Sequence, residues 1–164
     1  MSAHALAIVQ SLILIGAANG APLLVARALK ARPASPIDGG IVLPDGRPLL
    51  GRSKTWRGVA AAVVLTIVVA LLVGLPWHLG ALAAALAMAG DGFSSFFKRR
   101  FGLESSSMML GLDQIPESLF PALACATYLP LRPIDVLAIV LVFSVGALAA
   151  SRLFFAVGLR DRPY

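Results

Sequence analysis

The sequence predicts an all-α, polytopic integral membrane protein: five transmembrane helices, two tight turns and two long loops on the cytoplasmic side. Three observations carry this. Of 164 residues, 59% are hydrophobic and 13% are charged, about half the charged share of a soluble domain; mean hydropathy is +0.87. Five apolar runs approach the ~20 residues a membrane helix needs. The cations gather between alternate runs. The chain reads as a single membrane-embedded domain over 1–164, with no separate soluble one.

The first span is expected over Ala5–Leu29, interrupted by "NGAP" at Asn19–Pro22. Gly58–Leu75 is the second and the most uniformly apolar, and Leu79 to about Ser95 the third. Ile115–Leu131, opened by Pro116, is the fourth, and Ile134–Val157 the fifth. Pro76–His78 and Arg132–Pro133 are tight turns, whereas Arg27–Arg57 and Lys98–Gln114 are long and polar. The first residues lack the positive region and cleavage site of a secretory signal. A single cysteine, Cys125, excludes a disulfide framework within the chain and a cysteine-built zinc site. His4 and His78 lie too far apart in sequence for metal-ligand spacing.

Charge asymmetry orients the bundle. The first long loop holds Arg27, Lys30, Arg32, Arg47, Arg52, Lys54 and Arg57 against Asp38 and Asp45. The second holds Lys98, Arg99 and Arg100, and the C-terminus holds Arg160 and Arg162. The positive-inside rule puts both loops and the C-terminus in the cytoplasm and the N-terminus outside the cell (inner) membrane, as five spans require. Setting topology and touching anionic headgroups accounts for most of these cations.

Some features ask for more. A loop this long is usually functional or disordered, and "DGGIVLPDGRPLLGRSKTWRG" (38–58) mixes turn residues with Ile41, Val42, Leu49, Leu50 and Trp56. That mixture suggests a folded loop on the membrane surface. "GRSKT" is not a P-loop, because its Gly-Lys-Thr spacing is wrong and no strand precedes it. Lys54, Thr55 and Arg57 nonetheless cluster where a helix start exposes N–H groups that can hold an anion; topological anchoring explains the cations equally well.

The third span ends "GDGFSSFFKRR" (90–100). On a continuous helix from Leu79 to Phe101, Asp91, Ser95 and Lys98 share one stripe with Ser94 at its edge. Phe93, Phe96, Phe97 and Phe101 fall on the other side. An acid within a span is a functional hypothesis by default, against the plainer reading of Asp91 paired with Lys98 or a serine. Asp113, at the mouth of the fourth span, reads either as an N-cap or as a second carboxylate converging with Asp91. Two carboxylates without His or Cys suit a hard cation such as Mg²⁺. Cations around such a metal suit a substrate with several phosphates, and the membrane setting suggests a lipid as second substrate.

These residues resemble the CDP-archaeol synthase family and, more distantly, the CDP-diacylglycerol synthases. The likeness covers nearly the whole chain and rests on "AANGAP", "GRSKTWRG", "GDGFSSFFKRR" and "LDQ". It implies an enzyme of phospholipid biosynthesis: a Mg²⁺-dependent transferase moving a cytidylyl group from CTP to a phosphorylated glycerolipid. It implies Asp91 and Asp113 as metal ligands, with Lys98 at the chemistry. It puts Lys54, Thr55, Arg57, Arg99 and Arg100 on CTP or phosphates, and Asn19 in the site wall. Ser94, Ser95 and Gln114 are further substrate-binding candidates. Family members often read Asp-Gln-Leu-Asp-Phe after the second loop. Here Asp113-Gln114-Ile115-Pro116-Glu117 carries the second acid one position later.

The alternatives are a small transporter with Asp91 as its ion site, or a non-catalytic lipid-binding membrane protein. The CDP-alcohol phosphotransferase pattern is absent from the sequence. Nothing points to nucleic acid, and small residues on the spans permit a homodimer without demanding one.

Overall fold

The computed structural model describes residues 2–29, 34–104, 107, 109 and 111–156. Lys30, Arg32, Arg160, Arg162 and the expected end of the fifth span at Val157 lie outside them. The elements are α1 (Ala3–Ala28), α2 (Trp56–Leu72), α3 (Trp77–Arg100), α4 (Gln114–Ala126) and α5 (Pro133–Ala156). Each expected helix is present, and α3 runs unbroken through the Asp91 stripe.

Their lengths differ from expectation in two places: α3 runs from Trp77 to Arg100 rather than from Leu79 to about Ser95, and α4 is short. Helices α1, α3 and α5 (over Pro133–Leu153) are long and apolar enough to cross a membrane, and α2 is a shorter apolar helix. Helix α4 has 13 residues, about 20 Å of rise against a hydrocarbon core of ~30 Å. Helix α4 therefore stops at Ala126, where the expected fourth span ran on to Leu131. The Thr127 hydroxyl donates to the Ala124 carbonyl at 2.7 Å, competing with the helix ladder, and Pro130 cannot extend it.

Helix α1 contacts all four others. The bundle packs on small side chains: Ala18, Ala84 and Ala87 are fully buried together, with Leu14, Leu79 and Cys125 in the adjoining core. Two glycines set how closely α3 approaches its neighbours. A Cβ at Gly80 would lie 2.7 Å from the Thr66 carbonyl oxygen of α2. One at Gly90 would lie 2.2 Å from the Pro116 carbonyl oxygen of α4. The absent side chains let backbone meet backbone there.

The first long loop is folded, as its composition suggested. Isolated bridges pair Pro36 with Thr55 and Val42 with Pro48, and Asp45-Gly46 turns the hairpin with Gly46 at φ 75°. Asp38 is buried inside it. Its Oδ2 accepts from the Leu50 and Gly51 amides at 2.8 and 3.2 Å, and its Oδ1 from the Gly40 amide at 3.0 Å. Burial raises this carboxyl's pKa, but the backbone donors together outweigh it and hold the group below its ordinary 3.8. The hairpin tip clasps the end of α3. Arg47 donates to the Arg99 and Arg100 carbonyls, and Arg100 pairs with Asp45 at 2.6 Å. Carbonyls that a helix end leaves unpaired are thereby satisfied.

Candidate active site

The clasp brings the loop's last residues over the polar stripe of α3. Between them lies a cavity of about 310 Å³. Asn19 of α1, Ser53 and Lys54 of the first loop, and Asp91, Ser95, Lys98 and Arg99 of α3 line it. So do Ser107 of the second loop and Asp113, Gln114 and Glu117 around the start of α4; Phe143, Ala147, Leu148 and Ser151 of α5 close its last side.

Two ion pairs occupy it. Lys54 Nζ bonds both carboxylate oxygens of Asp91, and Lys98 Nζ lies 2.9 Å from Asp113 Oδ1. The stripe is as the sequence implied, but the partners are not. Asp91 pairs across to the first loop rather than along its own helix to Lys98. Lys98, Arg99, Asp113 and Gln114 are all buried, a costly placement for charge unless it is paired or used. Lys98 also donates to the Ser107 carbonyl at 2.9 Å, and Arg99 to the Glu104 carbonyl at 2.6 Å.

Asp113 sits where an N-cap would, but its backbone is helical and its side chain makes no capping bond. Its Oδ2 instead accepts from the Met109 amide at 3.0 Å. Gln114 accepts from the Gly111 amide at 2.9 Å. Both residues thus shape the turn into α4 while facing the cavity.

Four expected site residues lie off the cavity wall. Ser94 is fully buried, its hydroxyl donating to the Gly90 carbonyl at 2.9 Å; one step around the helix turns it toward α4's packing. Thr55 caps α2, its Oγ1 accepting from the Gly58 amide at 3.2 Å, and it borders a separate small cleft beside Lys54 and Asp91. Arg100 faces outward because the hairpin tip claims it. Arg57 follows Thr55 into α2 and does not line the cavity.

Glu117 is the residue that sequence reasoning left without a role. It lines the cavity, and its carboxyl meets that of Asp91. The Asn19 amide donates to its carbonyl at 3.4 Å, and the Gly90 contact brings its backbone against α3. The available signal was spacing: Glu117 is four residues after Asp113, on the same helix face.

Among the described residues no three His, Cys, Asp or Glu side chains form a preassembled metal cage. The carboxyl groups of Asp91 and Glu117 nevertheless converge in a partly buried place, with Asp113 on the same wall. Hard oxygen donors of this kind fit Mg²⁺, which keeps several waters and binds through one or two carboxylates plus substrate phosphates.

An all-helical bundle of apolar helices that gathers acids, lysines and an arginine around one cavity has the architecture of an integral membrane enzyme. A family model described as CarS-like CDP-archaeol synthase matches residues 22–84 and 75–164. The chain belongs to the CDP-archaeol synthase family. A CDP-archaeol synthase of Hyperthermus butylicus is 43% identical over 60% of each chain. That of Natronomonas pharaonis is 33% identical over 84% of this chain and 88% of its own. A solved structure, described as an intramembrane enzyme for archaeal membrane lipids biosynthesis, matches with a TM-score of 0.64 and 31% identity, over 84% of this chain and 90% of that one.

Proposed function

We propose that this chain transfers a cytidylyl group from CTP to a phosphorylated glycerolipid, giving CDP-lipid and pyrophosphate. Family membership supports the CTP-dependent transfer to a lipid. The observation that carries the reading is the two-sided cavity: acids, Lys54, Lys98 and Arg99 on one side, and Phe143, Ala147 and Leu148 on the other. A substrate pair with many charges and a hydrocarbon body matches that division.

In the reaction an oxygen of the lipid phosphate attacks the α-phosphorus of CTP. The new P–O bond forms as the α–β bridge breaks, and pyrophosphate leaves with the electron pair. A phosphate monoester has a second pKa near ~6, so the nucleophile is already largely ionised at neutral pH. No strong general base is needed, and none of the cavity residues is a histidine. Catalysis is then positioning and charge neutralisation. Lys54 and Lys98, held by carboxylates in this structure, turn to the phosphates, and Arg99 adds a fixed charge beside them. Asp91 and Asp113, with Glu117 alongside, would hold Mg²⁺, whose contribution when bound is neutralisation of the nucleotide's phosphate charge.

All five helices lie in the bilayer in this reading, α4 as a short one. The loop end faces the cytoplasm, where its cations satisfy the positive-inside rule. The test is incubation of purified protein with labelled CTP, Mg²⁺ and a panel of ester- and ether-linked lipid phosphates. Labelled CDP-lipid is the expected product, and the preferred acceptor identifies the lipid class. No labelled lipid with any acceptor overturns the proposal.

A further inference from the structure

An apolar groove of about 460 Å³ runs along the seam of α4 and α5. Val136 and Val140, only 8% and 7% exposed, form its floor, while Ile115, Leu137 and Leu141 stand as half-exposed rims. Along α5 the lining residues Val136, Val140, Ser144 and Leu148 recur every four positions, which makes one continuous row on the helix surface. The row covers about 18 Å of helix rise, slightly more than one leaflet's half of a ~30 Å hydrocarbon core.

The groove joins the polar cavity at its upper end. Gln114 and Leu148 border both spaces. Any groove in a bilayer collects lipid, but this one leads a chain's head end to the wall that carries Lys98 and Arg99. That continuity selects the occupant, a lipid with hydrocarbon along α5 and an anionic head at the cavity. A neutral lipid gains nothing from the cations.

We propose that the α4–α5 groove is the chain subsite of the acceptor lipid: one hydrocarbon chain lies on Val136 and Val140 while the phosphate turns in past Gln114. This rests on the proposed function for the acceptor's chemistry, and places it on the molecule.

The experiment uses the full chain in phosphatidylcholine vesicles doped with a phosphatidic acid whose tail carries a photoactivatable diazirine. Cross-links are mapped by peptide mass spectrometry, and CDP-lipid formation is followed in parallel. Labelling is expected on 115–119 and 133–148. Excess plain phosphatidic acid should compete, and extra phosphatidylcholine should not. Leu137→Trp at the rim and Ser144→Phe near the junction should each cut groove labelling about tenfold, the loss of ~1.4 kcal/mol of chain burial. CTP affinity by calorimetry should stay unchanged in both, which separates blocking from misfolding. Label spread evenly over the lipid-facing helices, equal competition by phosphatidylcholine, or full labelling of both variants overturns the subsite. Groove-confined labelling without any CDP-lipid upholds it and counts against the proposed reaction instead.

Discussion

The two ends of the bundle each set a carboxylate against a cation, and they differ in what the pair spans. At the short-turn end, Arg132 and Asp135 are three residues apart, with Nε 3.1 Å from Oδ2 and the Arg132 amide donating to the same oxygen at 2.8 Å. The arginine side chain is 62% exposed. This is local chemistry that closes a turn at the start of α5. At the loop end, Lys54 reaches Asp91 across 37 positions, and Lys98 reaches Asp113 from another helix. Both pairs line a cavity. The Arg132–Asp135 pair closes its own turn from neighbours in sequence, with His4 Nδ1 of α1 3.5 Å from the same carboxylate. Charge assembled from distant elements inside a cavity has been brought together for something else to bind.

That contrast is broken most directly by removing one charge from each end. Asp91→Asn should lower CDP-lipid formation at least about a hundredfold, the scale of losing one essential electrostatic group. Asp135→Asn should leave turnover nearly intact, because Asn keeps a side-chain oxygen that can accept from the Arg132 amide. The labelled-CTP assay on both variants decides it, with detergent-phase thermal unfolding as a check on folding. Near-normal turnover in Asp91→Asn would place the chemistry elsewhere.

Glu117→Gln sharpens the comparison within the loop end. The substitution keeps the shape and removes a carboxyl beside Asp91. The expected outcome is a rise of about tenfold or more in the Mg²⁺ concentration needed for half-maximal rate, as for other residues that support a metal. Turnover should recover at saturating Mg²⁺, and Mn²⁺ binding followed by electron paramagnetic resonance should weaken in step. An unchanged metal dependence would make Glu117 a packing residue.

Gly90 and Gly80 separate packing from chemistry. Each added methyl meets backbone, and overpacking of this kind costs about 1–3 kcal/mol. Gly80→Ala should lower the unfolding temperature and leave turnover, measured well below it, largely unaffected. Gly90→Ala pushes α4 off α3 at Pro116–Glu117, so it should lower stability and turnover together. Equal turnover in the two would mean that the α3–α4 spacing does not set the site.

Much of this was legible in the sequence, for physical reasons that can be named. Hydropathy and length located five helices, because apolar runs this long bond their backbones internally as helices. Helical periodicity placed Asp91, Ser95 and Lys98 on one wall, as α3 does. It could not supply their partners, since Lys54 meets Asp91 only after a 20-odd-residue loop folds on Asp38 and clasps the end of α3. It placed Ser94 one step too near the site, because a stripe's edge depends on which neighbour packs there. The end of α4 at Ala126 is marked in the sequence by Thr127 and Pro130, but hydropathy alone runs past both. Glu117 was in view, one position from where the family pattern puts an acid, but only the Gly90 contact reveals that this offset still delivers it to Asp91.

The smallest expected effect lies furthest from the chemistry. Asp38 touches none of the cavity, yet it gathers three amides of the loop that delivers Lys54. Its folded pKa is depressed, so its contribution is present above the ordinary 3.8 and is lost as pH falls through the lower folded value. Asp38→Asn removes that contribution at neutral pH. The KM for CTP should rise about fivefold, near 1 kcal/mol, with kcat held, because the loop is displaced in the free enzyme and restored by saturating nucleotide. Pepsin, which works in acid, reads the same point independently. The wild-type loop should become cleavable between 38 and 54 as pH drops below about 3.8, while the variant is cleaved with no such transition. An identical acid transition in both proteins would mean that another group holds the loop, and that Lys54 reaches Asp91 without help from Asp38.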